Sequence, residues 1–119
     1  MSVSLLEQAS PAAATNFTLY DVPGGYAAKV AAVTMCNTSG AARTVRLAIV
    51  RGGGTTGLGS WVLYDAAVPA AQTLEWYQAE DLLLDEFDSV RIYCSGTGMA
   101  FGLFGTLSPA ALSAVADQI

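Results

Sequence analysis

Three stretches near the start of the chain decide the fold. They are N-F-T-L-Y-D-V-P-G-G-Y at residues 16–26, K-V-A-A-V-T-M-C-N-T-S-G at 29–40 and A-A-R-T-V-R-L-A-I-V at 41–50. Apolar and polar residues alternate in the first and third stretches, which is the period of a β-strand with one buried face. The middle stretch is apolar on both faces, as in a central strand. Turn residues of the V-P-G-G and N-T-S-G type separate the three strands.

The same period continues through the rest of the chain. Strands are predicted at residues 61–66, 74–77, 90–94 and 99–103, with a further strand at 3–8 and a turn in the acidic stretch 80–88. Seven to eight short strands predict an all-β fold, an antiparallel β-sandwich of immunoglobulin-like or jelly-roll type. We divide the chain into an N-terminal arm (1–14), a sandwich domain (15–107) and a C-terminal tail (108–119).

The period changes in the tail. Ser108 is a suitable N-cap, Pro109 a suitable first helical residue, and Leu112, Val115 and Ile119 recur at helical spacing. The pattern predicts a short C-terminal helix. A helix of about ten residues is marginal alone, so it is expected to dock either on its own sandwich or on a neighbouring subunit, where these three residues would form an assembly tail.

The composition is unusually poor in charge. Of 119 residues, 53% are apolar and only 13% are charged, and the mean hydropathy is +0.45, whereas about 25% of residues are charged in an ordinary soluble domain. No apolar run reaches the roughly 18 residues of a membrane span. Burial of apolar faces between copies of the chain, in a homo-oligomer or on a scaffold, would explain the deficit. The alternative is that the excess consists mostly of alanine and glycine.

Charge also bears on partners and location. The net charge is −5 and the five basic residues are scattered, which argues against nucleic acid as a partner, because binding phosphates requires clustered Lys and Arg. The N-terminus lacks the basic region and the apolar core of a secretion signal. Synthesis in a cytoplasm and no membrane association are therefore expected.

Two cysteines on predicted strands, Cys36 and Cys94, with Trp61 between them, are reminiscent of an immunoglobulin domain. However, Ile92 occupies the position of the tyrosine that forms the tyrosine corner, two residues before the second cysteine. In a cytoplasm both thiols are expected to stay reduced and to behave as small apolar side chains.

Catalytic and metal-binding patterns are weak. The chain contains no histidine, so the commonest general base and metal ligand is missing, and Lys29 is the only lysine. We therefore predict a protein that is not an enzyme and that has no cofactor. Acidic residues at 80–81, 85–86 and 88 could hold calcium, but they lack the spacing of a calcium loop, so a connection exposed to solvent is the preferred interpretation.

Adjacent aromatic residues give the one candidate contact site. Trp76 and Tyr77 point to opposite faces of a strand, so at least one is expected to be exposed unless a partner covers it. Exposed rings on a β-sandwich could stack on a glycan or contact a protein partner. The alternative places Trp76 in the core beside Leu74 and makes Tyr77 an ordinary surface residue.

Five short motifs are spread over residues 15–106. They are L-Y-D-V-P-G-G at 19–25, C-N-T-S-G at 36–40, Y-D at 64–65 with V-P-A at 68–70, D-S-V-R-I-Y at 88–93 and a glycine-rich last strand at 98–105. In these motifs the chain resembles a family of small β-domains from tailed-phage virions. Gly25 followed by Tyr26 departs from the polar residues expected after the first turn. The C-terminal tail lies outside the shared region.

The resemblance implies a structural role. Proteins of this family are parts of the particle, such as capsid decoration, head-spike or tail-associated subunits, often in symmetric oligomers. The chain is therefore expected to be a non-enzymatic virion subunit, located in the particle, whose partners are other copies and other capsid or tail proteins. The alternative function is a carbohydrate-binding module for attachment to the host surface.

Overall fold

The computed structural model describes residues 4–54 and 60–109, without the side chains of Ser4 and residues 77–81. This part of the chain contains eight β-strands and no helix, so the all-β prediction is confirmed. The strands are β1 (Ser4–Ala9), β2 (Phe17–Asp21), β3 (Tyr26–Asn37), β4 (Arg43–Val50), β5 (Trp61–Val68), β6 (Thr73–Leu84), β7 (Ser89–Cys94) and β8 (Met99–Pro109).

The strands form two four-stranded antiparallel sheets. The first sheet has the order β1-β8-β3-β6 and the second β2-β7-β4-β5. The first strand pairs with the last, and the pairing continues inward along the chain: β1 with β8, β2 with β7, β3 with β6 and β4 with β5. The chain therefore folds like one long hairpin wrapped around a core, which is the jelly-roll arrangement. This strand order decides between the two types of sandwich expected from the sequence.

The core lies between the sheets and follows the predicted alternation. Val33, Met35 and Leu103 project inward from the first sheet, and Leu47 and Ile92 from the second, and none of the five is exposed to solvent. Burying side chains of this size stabilises the fold by about 1.5–3 kcal/mol each. Both sheets contribute to this stabilisation, since each supplies large apolar residues to one continuous cluster.

The N-terminal arm supplies an edge strand. β1 pairs with β8 from Ser4, opposite Gly105, to Ala9, opposite Phe101. The strand expected at residues 3–8 is thus present within the described part, and it packs on its own sandwich.

The turn predicted in the acidic stretch 80–88 occupies only the second half of that stretch. β6 continues to Leu84, because Leu82 and Leu84 pair with Val30 and Ala28, and Leu84 is buried. The irregularity that the acidic residues signalled is a bulge instead of a turn: four β6 residues, 78–81, face the single residue Ala31. The chain turns only after Leu84, before β7 begins.

The predicted start of the C-terminal helix was also wrong. Ser108 and Pro109, expected as N-cap and first helical residue, continue β8 and lie opposite Ala27 and Tyr26 of β3. Pairing with β3 satisfies the backbone N–H and C=O groups of this segment. A ten-residue helix would have to form without that pairing, and a helix of about this length is marginal alone. The remaining residues of that prediction, Leu112, Val115 and Ile119 among them, lie outside the described part.

The two cysteines lie on different faces. Cys94 points into the core from the second sheet, whereas Cys36 follows the buried Met35 and points away from the first sheet. Both thiols are free. Burial raises the pKa of the Cys94 thiol, which keeps it protonated and unreactive at neutral pH. An immunoglobulin-type bridge between the sheets does not fit this arrangement.

A buried asparagine ties together one end of the sandwich. Asn37 has no exposed surface. Its amide nitrogen donates to the carbonyl oxygens of Ala41 at 2.8 Å and Val68 at 3.0 Å, and its amide oxygen accepts from the backbone N–H of Ser39 at 2.9 Å. The N-T-S-G turn is therefore more than a chain reversal, because its first side chain joins the β3–β4 turn to the end of β5.

We predict that Asn37→Ala lowers the free energy of unfolding by about 3 kcal/mol, because it removes the hydrogen bonds of a fully buried amide group. Urea unfolding followed by tryptophan fluorescence measures the change. Asn16→Ala is the matched control, since Asn16 is the only other asparagine in the sequence and is exposed, and its effect should stay within about 0.5 kcal/mol. Equal effects of the two substitutions would contradict the assigned role of Asn37.

A bulge at Ala31 brings the backbones of β3 and β8 unusually close. Gly105 lies opposite Val30, and a Cβ atom at this position would overlap the carbonyl group of Lys29.

We predict that Gly105→Ala destabilises the protein by about 3 kcal/mol, since the backbone has to move. Gly40→Ala should cost nothing or stabilise by up to about 1 kcal/mol, because open space surrounds Gly40. Thermal unfolding of both variants checks the prediction, and a silent Gly105→Ala would contradict it.

A candidate binding surface on the second sheet

Within the described residues, no three His, Cys, Asp or Glu side chains are placed to hold a metal ion. A shallow depression of about 350 Å³ lies along β1 and β8, lined by Gln8, Ala9, Ser10, Ala100 and Phe101. This lining contains no ionisable side chain. The hydroxyl of Ser10 donates to the carbonyl oxygen of Met99 at 2.8 Å, and the lining holds no base that could activate it as a nucleophile.

The acidic residues around the β6–β7 turn serve the fold. Asp88 is 2% exposed. Its carboxylate accepts hydrogen bonds from Arg51 Nη1 at 2.6 Å, from the backbone N–H of Gly52 at 2.7 Å and from that of Asp85 at 2.9 Å. Glu86 accepts from the backbone N–H of Gly25 at 2.9 Å. Asp88 and Glu86, two of the carboxylates considered for calcium, thus connect the β6–β7 turn to the β4–β5 loop and to the β2–β3 turn.

The hydrogen bonds to Asp88 control its ionisation. Burial favours the neutral acid, but the bonds from Gly52, Arg51 and Asp85 outweigh it and lower the pKa of Asp88 below its usual value. A carboxyl group with a lowered pKa in the folded state stabilises the fold above its unfolded pKa of about 3.9. That stability is lost as the pH falls through the lower, folded value.

We predict that Asp88→Asn lowers the free energy of unfolding at pH 7 by about 2–3 kcal/mol, because it weakens the charge-assisted hydrogen bonds that this buried carboxylate accepts. The difference from the wild type should shrink as the pH falls below about 4. Urea unfolding at a series of pH values measures both effects. Asp21→Asn is the control, since Asp21 is exposed. A difference that stays constant down to pH 2 would contradict the assignment.

The predicted contact residues Trp76 and Tyr77 lie on β6 of the first sheet. Trp76 is opposite Val33 and packs, half-buried, against the core cluster. The backbone of Tyr77 pairs with Ala32, and its side chain lies outside the described part. The assembly residues Leu112, Val115 and Ile119 lie outside it as well, so their role stays a prediction.

An aromatic–arginine cluster occupies the outer face of the second sheet. Its members are Arg46 on β4, Tyr93 on β7, and Trp61, Tyr64 and Asp65 on β5. Tyr93 lies directly opposite Arg46. On the other side, Val45 pairs with Ala66 and Leu47 with Leu63, so Arg46 faces both Tyr64 and Asp65 in a bulge. Asp65, the second residue of this bulge, has a positive φ of 52°, a conformation that aspartate adopts more readily than most other residues.

The guanidinium of Arg46 holds the cluster together. It lies 4.1 Å from the ring centre of Tyr64 and 4.3 Å from that of Tyr93, and its Nε donates to Asp65 Oδ1 at 2.6 Å. Trp61 meets Tyr64 edge-on, with ring centres 5.4 Å apart. The side-chain hydrogen bond to Asp65 raises the pKa of Arg46. The guanidinium therefore stays charged, and a carboxylate beside it balances that charge.

A second feature is a group of exposed apolar side chains at one end of the first sheet, which we call the apolar end: Tyr26, Leu83, Phe87 and Leu107. Leu83 and Phe87 are 60% and 56% exposed. Leu83 lies opposite Lys29, and Leu107 opposite Ala28, close to the start of β3. Phe87 lies in the following turn with its ring against Gly24. Four of the eight large apolar side chains exposed in the described part thus share this end.

Sequence reasoning missed the aromatic–arginine cluster. Alternation along β4 and β7 does place Arg46 and Tyr93 on outward faces, so half of the signal was present. The pairing of β4 with both β5 and β7, and the bulge at Asp65, determine which side chains meet. Neither can be derived from spacing alone.

No protein-family model matches the chain, and no curated protein matches it either. The resemblance to phage virion β-domains therefore stays a prediction. Within residues 4–54 and 60–109, no helical segment has the length and the apolar character needed to cross a membrane.

Proposed function

We propose that the protein is a non-enzymatic structural subunit of a bacteriophage particle, which assembles with copies of itself and with capsid or tail proteins. The observation that carries the proposal is the apolar end. Tyr26, Leu83, Phe87 and Leu107 are all exposed at one end of the first sheet. Such exposure is unfavourable for an isolated domain and is typical of surfaces that a partner covers.

The fold supports the proposal without being specific to it. Jelly rolls occur in viral capsid proteins and also in lectins and cupins. Cupin-type metal chemistry usually relies on histidine ligands, and this chain has no histidine. The residues that carry the family resemblance include Asn37 and Asp88, whose hydrogen bonds hold the two ends of the sandwich, so the resemblance concerns the scaffold.

The end of the last described strand lies at the same place. β8 finishes at Pro109, opposite Tyr26 of the apolar end, and the apolar residues Leu112, Val115 and Ile119 follow it in the sequence. In this proposal the tail and the apolar end form one contact region. Deletion of residues 110–119 leaves β8 complete and separates the contribution of the tail from that of the sheet.

We predict that the wild-type protein sediments as an oligomer of its 12.3 kDa chain. The double substitution Leu83→Ser, Phe87→Ser should shift it toward the monomer, because it removes apolar surface that the contact buries. Sedimentation velocity over a range of concentrations measures the shift. Val62→Ser is the matched control: Val62 is also exposed but lies on the second sheet, and its variant should keep the wild-type size.

The particle itself provides the second measurement. Purified particles of the phage that encodes the chain are probed with an antibody against it. Particles from which the chain has been removed are then incubated with the wild-type and the doubly substituted protein. Co-sedimentation of the wild type but not of the double variant is expected. A wild-type protein that stays monomeric at high concentration and that no purified particle contains or binds would end the proposal.

A further inference from the structure

The aromatic–arginine cluster has the composition of a ligand site. Ligand sites in proteins combine aromatic surface with a few well-placed polar groups. Here Tyr64 is 58% exposed, and the Asp65 side chain beside it is 45% exposed. We propose that this cluster binds a neutral oligosaccharide of hexopyranose units, with Tyr64 as the stacking platform. The proposal concerns a different surface from the apolar end and does not rest on the structural role proposed above.

The ring of Tyr64 is held in place before any ligand arrives. The guanidinium of Arg46 lies over one face at 4.1 Å, and Trp61 meets the ring at an angle of 74°. A side chain fixed in this way loses little conformational entropy when a ligand stacks on it. The apolar C–H face of a pyranose ring can pack against such an aromatic surface, as other flat or apolar groups do.

Polar groups stand next to this platform. Asp65 Oδ1 and Oδ2 accept from Arg46 at 2.6 and 3.4 Å, and each carboxylate oxygen has further lone pairs for other donors. The Tyr64 hydroxyl can both donate and accept. Sugar hydroxyl groups, which project from the edge of the ring, need partners of both kinds at the border of a stacking surface.

The charges of the cluster favour a neutral ligand. Arg46 and Asp65 form a close ion pair, so the surface presents a balanced dipole without a net charge. An acidic oligosaccharide would gain little from Arg46 and would be repelled by Asp65. A second copy of the chain fits less well, because β5 pairs with β4 through two register shifts. An edge strand with such irregularities does not offer a regular ladder to another strand.

The experiment uses the full chain and one built-in reporter. The protein contains two tryptophans, and Trp76→Phe removes the one that packs on the core, leaving Trp61 next to Tyr64. Chitohexaose, cellohexaose and maltohexaose serve as neutral probes, and hexagalacturonate as the acidic comparison. We expect at least one neutral probe to shift the Trp61 emission saturably, with a Kd of about 1 mM or lower. Isothermal titration calorimetry on the wild type measures the same affinity.

Substitutions identify the surface. Tyr64→Ala should weaken binding at least about tenfold through loss of stacking, whereas Tyr64→Phe should keep most of it. Tyr26→Ala is the matched control, because Tyr26 is also an exposed tyrosine but lies at the apolar end. Urea unfolding of each variant verifies that the fold is intact.

Asp65→Asn tests the charge argument separately. It leaves Arg46 without its balancing carboxylate, so hexagalacturonate, which the wild type should not bind, is expected to gain affinity relative to the neutral probes.

Three outcomes would overturn the proposal. In the first, no neutral probe binds the wild type at about 10 mM by calorimetry, well above the expected Kd. In the second, Tyr64→Ala and Tyr26→Ala weaken binding equally. In the third, Tyr64→Ala abolishes oligomer formation without affecting sugar binding, which would assign the cluster to a contact between copies of the chain.

Discussion

The fold depends on satisfying backbone groups where the chain crosses from one sheet to the other. In the pairing of this jelly roll, every connection except that between β4 and β5 changes sheets, and at each crossing N–H and C=O groups leave the ladder. Buried groups of this kind must find other partners. Asn37 supplies donors to carbonyl oxygens at one end of the sandwich. Asp88 supplies acceptors to N–H groups at the other.

The side-chain chemistry matches each end. A carboxylate only accepts, so it suits the end where the N–H groups of Gly52 and Asp85 converge. An amide both donates and accepts, so it suits the end where carbonyl groups converge around the N–H of Ser39. Exchanging the two residue types would place like partial charges against each other at both ends. Asn37 and Asp88, two of the three buried polar residues in the described part, thus connect loops that are far apart in sequence.

Much of the fold could be predicted from the sequence, because alternation reports which face of a strand is buried. The strands β4 and β7 follow this rule directly, whereas a register shift in β2 brings both Leu19 and Tyr20 against the core. The rule fails where tertiary pairing decides. Leu82 and Leu84 read as part of an acidic turn, yet they extend β6 because β3 offers them partners. Ser108 and Pro109 carry helix-start chemistry, yet β3 is long enough to pair with them.

The candidate site was harder to predict for a related reason. Trp76 and Tyr77 drew attention because they are adjacent in sequence, whereas Arg46 and Tyr93 are adjacent only in the sheet. A bulge then adds Tyr64 and Asp65 opposite the same arginine. Bulges depend on one extra residue between two registers, and no periodic pattern marks which residue is extra.

The low charge of the chain and its two candidate surfaces have a common physical basis. Arg43, Arg46, Arg51 and Arg91 each donate a hydrogen bond to another group of the same chain, so four of the five basic residues already serve the fold or the cluster. Ion pairs with Asp65 and Asp88 neutralise Arg46 and Arg51, so little positive charge is left to attract polyanions. The net charge of −5 acts over a Debye length of only about 8 Å at physiological salt. Apolar contacts at one sheet and stacking on the other can therefore form without a large electrostatic penalty, and because they use different sheets, neither has to exclude the other.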